Sequence, residues 1–128
     1  MAALSLAGCA SHEIQQEISR HPSPDFATEA VVIRASGRQT VCTVYLTIPG
    51  HEMDKKNQVF KGTQVKGLSV NWLAASSLEI RYQAAHVEYF QPVWNHAGHS
   101  IRLQMIEEAQ QGEVIGKGHA GFAITSCS

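Results

Sequence analysis

Long apolar runs are missing from this chain. No stretch approaches the roughly 20 consecutive apolar residues of a transmembrane helix, so the sequence predicts no helical membrane span. Basic clusters are equally scarce: the densest is Lys55-Lys56 with Lys61 nearby, too sparse to hold anionic lipid headgroups. A formal net charge of −1 leaves no basic footprint for nucleic acid, which is excluded as a partner. Aspartate occurs only at Asp25 and Asp54, and glutamates are scattered apart from Glu107-Glu108, so nothing points to the paired carboxylates of a hydrolase. There is no G-x-S-x-G elbow to present a nucleophile. A structural zinc site's two close pairs of Cys or His, one at each end, are also absent. Glycines cluster late, at Gly112, Gly116, Gly118 and Gly121, but without the strand-to-helix setting and Lys of a phosphate loop. They read as turns and close strand packing, with His119 as a loop-to-strand residue.

What the chain does have is alternation. Its 128 residues suit one domain, and 44% hydrophobic content can fill a core without metal or dense disulfides. From Phe26 onward apolar residues recur with period two. Residues 28–36 are rich in Val and Ile, Gly37-Arg38 suits a turn, and residues 40–48 alternate cleanly, with Cys42, Val44, Leu46 and Ile48 on one face. Pro49-Gly50 ends that strand, and residues 51–58 read as an exposed loop. Leu68, Val70 and Trp72 alternate, as do Leu78, Ile80 and Tyr82 beyond a turn at 74–77. Further strands are expected over 87–91, 101–105 (alternatively a short helix through Glu108) and 120–125, with a turn at Gln110-Gln111-Gly112. Ile14 and Ile18, four apart and stopped by Pro22 and Pro24, predict a short helix over 13–19 within a polar tether of residues 10–25. The expectation is an all-β domain over 26–128: an antiparallel meander, sandwich or open barrel of about seven to nine short strands.

Two stretches resemble known families. Leu6-Ala7-Gly8-Cys9 resembles the lipobox of bacterial lipoprotein signal peptides. The arrangement Ser23-Pro24-Asp25-Phe26, two strands, Val70-Asn71-Trp72-Leu73 and Leu78-Glu79-Ile80 resembles a blade of TolB-type β-propellers. Together they are similar to small bacterial lipoproteins of unassigned function. The resemblance implies that residues 1–9 are the remnant of a signal peptide and that Cys9 carries a lipid anchoring the domain to a membrane. Ala10 after it implies outer-membrane sorting, facing the periplasm. Eight or nine strands make at most two blades, so the meander is implied and the closed ring is not. If Cys9 is lipidated, Cys42 and Cys127 are left to pair in an oxidising compartment. The alternative is a buried inert thiol at Cys42 and a free Cys127.

Seven His residues raise a metal reading, centred on His86, Glu88 and His96-Ala97-Gly98-His99. His96 and His99 flank a Gly, however, and read equally well as the two sides of a hairpin loop. Trp72 follows the alternation into the core, whereas Tyr89, Phe90 and Trp94 lie around Pro92, which marks a strand edge or end. Aromatic residues are enriched at binding hot spots. The first candidate partner-binding set is therefore Tyr89, Phe90, Trp94, His96 and His99, with loop 50–58 second; the alternative is that the aromatics complete a small β core. The sequence favours a non-catalytic envelope protein that binds a protein or glycan partner, as an assembly factor, inhibitor or immunity-type protein, with no cofactor. The competing reading is a metal-binding or hydrolytic protein using the region from His86 to His99.

Overall fold

The computed structural model describes residues 14–51, 54–108, 124–125 and 127. Two five-stranded sheets enclose one core between them. The first has the order β1 (Ile14–Pro22), β2 (Glu29–Ser36), β3 (Val41–Thr47), β4 (Gln58–Lys66) and β7 (Ala84–Phe90). The second runs β10 (Ile124–Thr125), β5 (Leu68–Ala74), β6 (Ser77–Tyr82), β9 (His99–Glu107) and β8 (Val93–His96). A short 3-10 turn over Lys55–Asn57 precedes β4. Neighbours pair antiparallel except β6 with β9. After β6 the chain crosses to the first sheet to add β7 and then returns through β8, so β9 meets β6 running the same way. Neither sheet closes into a barrel among the described residues. The all-β class expected from the alternation is observed, as two sheets in a sandwich.

The strands form where the period-two pattern supplies an inward face. Ala30 and Val32 of β2, and Cys42, Val44 and Leu46 of β3, face Leu68 and Val70 of β5, Leu78, Ile80 and Tyr82 of β6 and Leu103 of β9 across the core. Phe60 and Tyr82 bring the two sheets together with ring centroids 6.2 Å apart. On the outer face Val31 is buried as well, because its cross-strand neighbours Arg20 and Tyr45 flank it. The Arg20 guanidinium is held by Glu17 and Glu29 at 2.7 and 2.8 Å, which keeps its aliphatic stem along the sheet.

Cys42 and Cys127 form a disulfide across a sequence separation of 85 residues. Both are buried in the common core. Of the two alternatives left open by the cysteines, the paired one is observed.

Several expectations need correction. No helix forms over residues 14–19: this stretch is β1, an edge strand paired to β2 along its whole length, so residues 14–22 belong to the sheet and not to a tether. The Ile14–Ile18 spacing is accommodated by a register shift between Glu17 and Ser19, which lets Ile18 pack on the core while Ile14 stays exposed. Strand β4, unrecognised in the sequence, is an inner strand of the first sheet. The resemblance to TolB-type blades does not hold. Ser23–Phe26 forms the β1–β2 turn of the first sheet, whereas Trp72 and Leu78 sit on β5 and β6 of the second, so the segments of the supposed blade are divided between two sheets. The strand expected over 120–125 is described only as β10, and the 101–105 run is strand, not helix. The run Leu6-Ala7-Gly8-Cys9 with Ala10, the turn expected at 110–112, the glycine run at 112–121 and His119 lie outside the described residues.

Candidate functional site

Cross-strand register gathers four connections at one end of the sandwich. Glu29 opposite Thr47 sets the β1–β2 turn (23–28) beside the loop that follows β3. The Trp72 indole N–H donates to the His21 carbonyl at 2.7 Å, tying the β5–β6 turn to the same end. Parallel pairing of Ser77 with Arg102 places the β8–β9 hairpin tip, Ala97-Gly98, four to five residues earlier, beside that turn. At this end lies a cavity of about 230 Å³ lined by Thr47, Ile48, His51, Asp54, Asn57 and His96.

Each lining side chain is placed by local chemistry. Asp54 caps the 3-10 turn by accepting the Lys56 N–H at 2.9 Å, and that turn presents Asn57. The Asn57 Oδ1 accepts from the Trp94 indole at 3.2 Å. An indole can only donate, so the amide nitrogen of Asn57 remains for other partners. His96 lies against Trp94 with ring centroids 5.5 Å apart. His96 and His99 are directly paired across a two-residue turn, Ala97-Gly98, whose φ values of 49° and 85° are both left-handed. That geometry belongs to a type I′ hairpin, which favours Asn-Gly. Ala97→Asn is accordingly expected to stabilise the fold by about 0.5–1 kcal/mol, read as a raised urea midpoint. A lowered midpoint would show that the turn is not held in this conformation.

Beside the cavity, the β1–β2 turn carries an exposed aromatic. The Phe26 side chain is 71% exposed, and its backbone has a φ of 57°, a region costly for a bulky side chain. The turn is fixed around it: the Phe26 N–H donates to the Ser23 carbonyl at 2.8 Å, the Ser23 hydroxyl to Asp25 at 2.7 Å, and the Ala27 N–H to the same carboxylate at 3.1 Å. The Ser23 hydroxyl and the Ala27 amide hold the Asp25 carboxyl below its ordinary range, with a smaller contribution from His99. Ser23, Asp25 and His99 are not a nucleophilic triad. Ser23 is buried, and its hydroxyl is committed to Asp25 and to the Thr28 N–H. Leu73 and Val93 add half-exposed apolar surface toward the same end.

The residues singled out in the sequence separate. Trp94 is 1% exposed and is the largest fully buried side chain, so it belongs to the core and not to a surface. Phe90 packs against the core, Tyr89 is exposed with its hydroxyl donating to Gln91, His96 is exposed and His99 half-buried. His86 and Glu88 sit on β7 of the first sheet, away from His96 and His99 on the second, because the chain changes sheet at Gln91-Pro92. Glu88 instead faces Lys61 at 3.9 Å. Among the described residues no three His, Cys, Asp or Glu side chains converge as a metal site. The 50–58 loop supplies three of the six residues around the cavity. Phe26 was missed; the visible signal was a bulky residue after Ser-Pro-Asp, where a turn ordinarily takes Gly.

His21 supports this end from β1. It is half-buried, its Nε2 lies 2.9 Å from the Ser19 hydroxyl, and burial lowers its pKa below the usual value near 6.5. The folded state therefore binds this proton more weakly than the unfolded chain does. The resulting stability is intact above about pH 6.5 and is lost as pH falls from there toward the lower folded pKa. Thermal melts should show a lower Tm at pH 5.5 than at pH 7.5, with part of the difference removed in His21→Gln. Identical pH slopes in the two proteins would rule His21 out as a contributor.

No family model, curated protein or solved structure matches the chain, so the likeness of Leu6-Ala7-Gly8-Cys9 to a lipoprotein signal finds no family behind it and is set aside together with the blade.

Proposed function

We propose that this protein is a non-catalytic binding domain of an oxidising compartment, such as a cell envelope, which takes a protein or glycan partner on the end of the sandwich bearing Phe26 and the Asn57–His96 cavity. The observation that carries this reading is Phe26. A large apolar side chain displayed to solvent, on strained backbone fixed by Ser23 and Asp25, has no role in the core. Polar groups around a small cavity and apolar side chains at its margin make a surface suited to recognition. The buried disulfide supports the choice of compartment.

The test uses photo-crosslinking residues at Phe26 and Val93, with exposed Ile14 at the far end of β1 as control, in cells that produce the chain. Discrete adducts from positions 26 and 93, absent from position 14, are expected. Equal labelling at all three positions, or none at 26 and 93, would sink the assignment.

A further inference from the structure

We propose that the Asn57–His96 cavity is a subsite for one neutral sugar ring of a glycan, which rests on the binding reading above and narrows it. Its size points to a small occupant: about 230 Å³ is below the roughly 300–1,000 Å³ of sites that enclose drug-sized ligands, leaving room for one ring with the rest of a chain emerging into solvent. The lining then selects among small occupants. Of the six described residues that line it, five are polar and Ile48 is apolar, which disfavours a hydrocarbon ligand. Among the described residues no Lys or Arg lines it and Asp54 does, so phosphate or carboxylate would meet like charge without the guanidinium or ammonium that usually holds it. The convergence of His, Cys, Asp and Glu that a metal needs is absent among the described residues.

A polyhydroxylated ring matches what remains, because each hydroxyl both donates and accepts. Asp54 offers acceptor oxygen. Asn57 offers its amide N–H groups, since Trp94 already occupies Oδ1. Thr47 offers a hydroxyl, and the His51 and His96 imidazoles donate or accept according to tautomer. The arrangement is preorganised. Asp54 is held by the 3-10 turn it caps, Asn57 by a buried indole, and His96 by its contact with the same indole. The exposed face of His96 is left as a flat surface against which the C–H face of a sugar can lie, and fixing these groups beforehand lowers the cost of binding.

Titration of the ¹⁵N-labelled 128-residue chain with methyl glycosides of neutral hexoses and N-acetylhexosamines, and with oligosaccharides ending in them, tests this. The expected result is saturable movement of the Trp94 indole N–H and the Asn57 side-chain amide. Affinity should fall about tenfold or more in His96→Ala and in Asp54→Asn, the latter keeping an oxygen for the turn cap, and should be unchanged in His99→Ala. The subsite is overturned by the absence of saturable shifts with every saccharide, by wild-type affinity in both His96→Ala and Asp54→Asn, or by a response only to zinc ion or inorganic phosphate added alone. Position-specific crosslinks at Phe26 alongside a spectrum unmoved by saccharides would remove the subsite and leave the binding domain. Silence in both experiments would remove both.

Discussion

Reducing the Cys42–Cys127 disulfide is expected to lower unfolding stability by up to roughly 4–5 kcal/mol, the loop-entropy value for a closure of this length. The bridge joins residues separated by 85 positions, so it removes a large set of extended conformations from the unfolded chain. Its ends are well placed to realise that gain. Cys42 lies within β3, whose neighbours β2 and β4 fix its backbone, and Cys127 is buried in the same core two residues beyond β10. The bridge therefore fastens the end of the second sheet to an inner strand of the first. Urea titrations with and without reductant should give a midpoint difference that vanishes in the Cys42→Ala/Cys127→Ala double variant. Because both sulfurs are buried, reduction of the folded protein should be slow unless denaturant is present. An unchanged midpoint after verified reduction would mean that core packing alone holds the two sheets together.

The elements legible in the sequence were those whose alternation survives folding. Strand β3 is the clearest: Cys42, Val44 and Leu46 share the face that enters the core, although Thr43 and Thr47 are buried as well. The hidden strands are those that break the rule. In β4 the register shifts against both neighbours, Gln64 takes a φ of 55°, and Gly62 has the His86 carbonyl 3.2 Å from where a Cβ would stand. Burial there follows no simple period, so Val59, Phe60 and Val65 do not announce a strand. In β1 the four-residue spacing of Ile14 and Ile18 suits one face of a helix as well as one face of a strand, and the shift at Glu17–Ser19 leaves only Ile18 on the core. The site was legible only in fragments for a related reason. His51, Asp54 and Asn57 meet His96 through sheet pairing and core packing, which sequence distance does not encode. Conversely His86 and Tyr89, close in sequence to His96, end on the other sheet once the chain crosses over at Gln91-Pro92.

The second large effect is expected at Trp94, where the roles of core and surface can be separated. Truncation to Ala should cost about 3–5 kcal/mol, the range for emptying a large aromatic site in a packed core. Two terms contribute. The indole ring is 1% exposed and packs within the shared core, so its removal leaves a cavity that β8, a four-residue edge strand, has few contacts to refill. Its N–H also satisfies Asn57, whose Oδ1 would then lose that partner at the rim of the cavity. Trp94→Phe keeps most of the apolar volume and loses that hydrogen bond, so it should fall between wild type and Ala. His96→Ala, two residues on at the exposed hairpin end of the same strand, should stay within about 0.5 kcal/mol of wild type. A residue acting mainly as an interface anchor would give the opposite pattern, with little change in the isolated chain and loss only on binding. Denaturation midpoints of the three variants decide between these patterns, and a Trp94→Ala protein as stable as wild type would return the indole to the surface. If the Ala variant unfolds outright, the Phe variant still discriminates. A measurable loss there, with His96→Ala unchanged, identifies Trp94 as the buried support on which Asn57 and His96 are aligned.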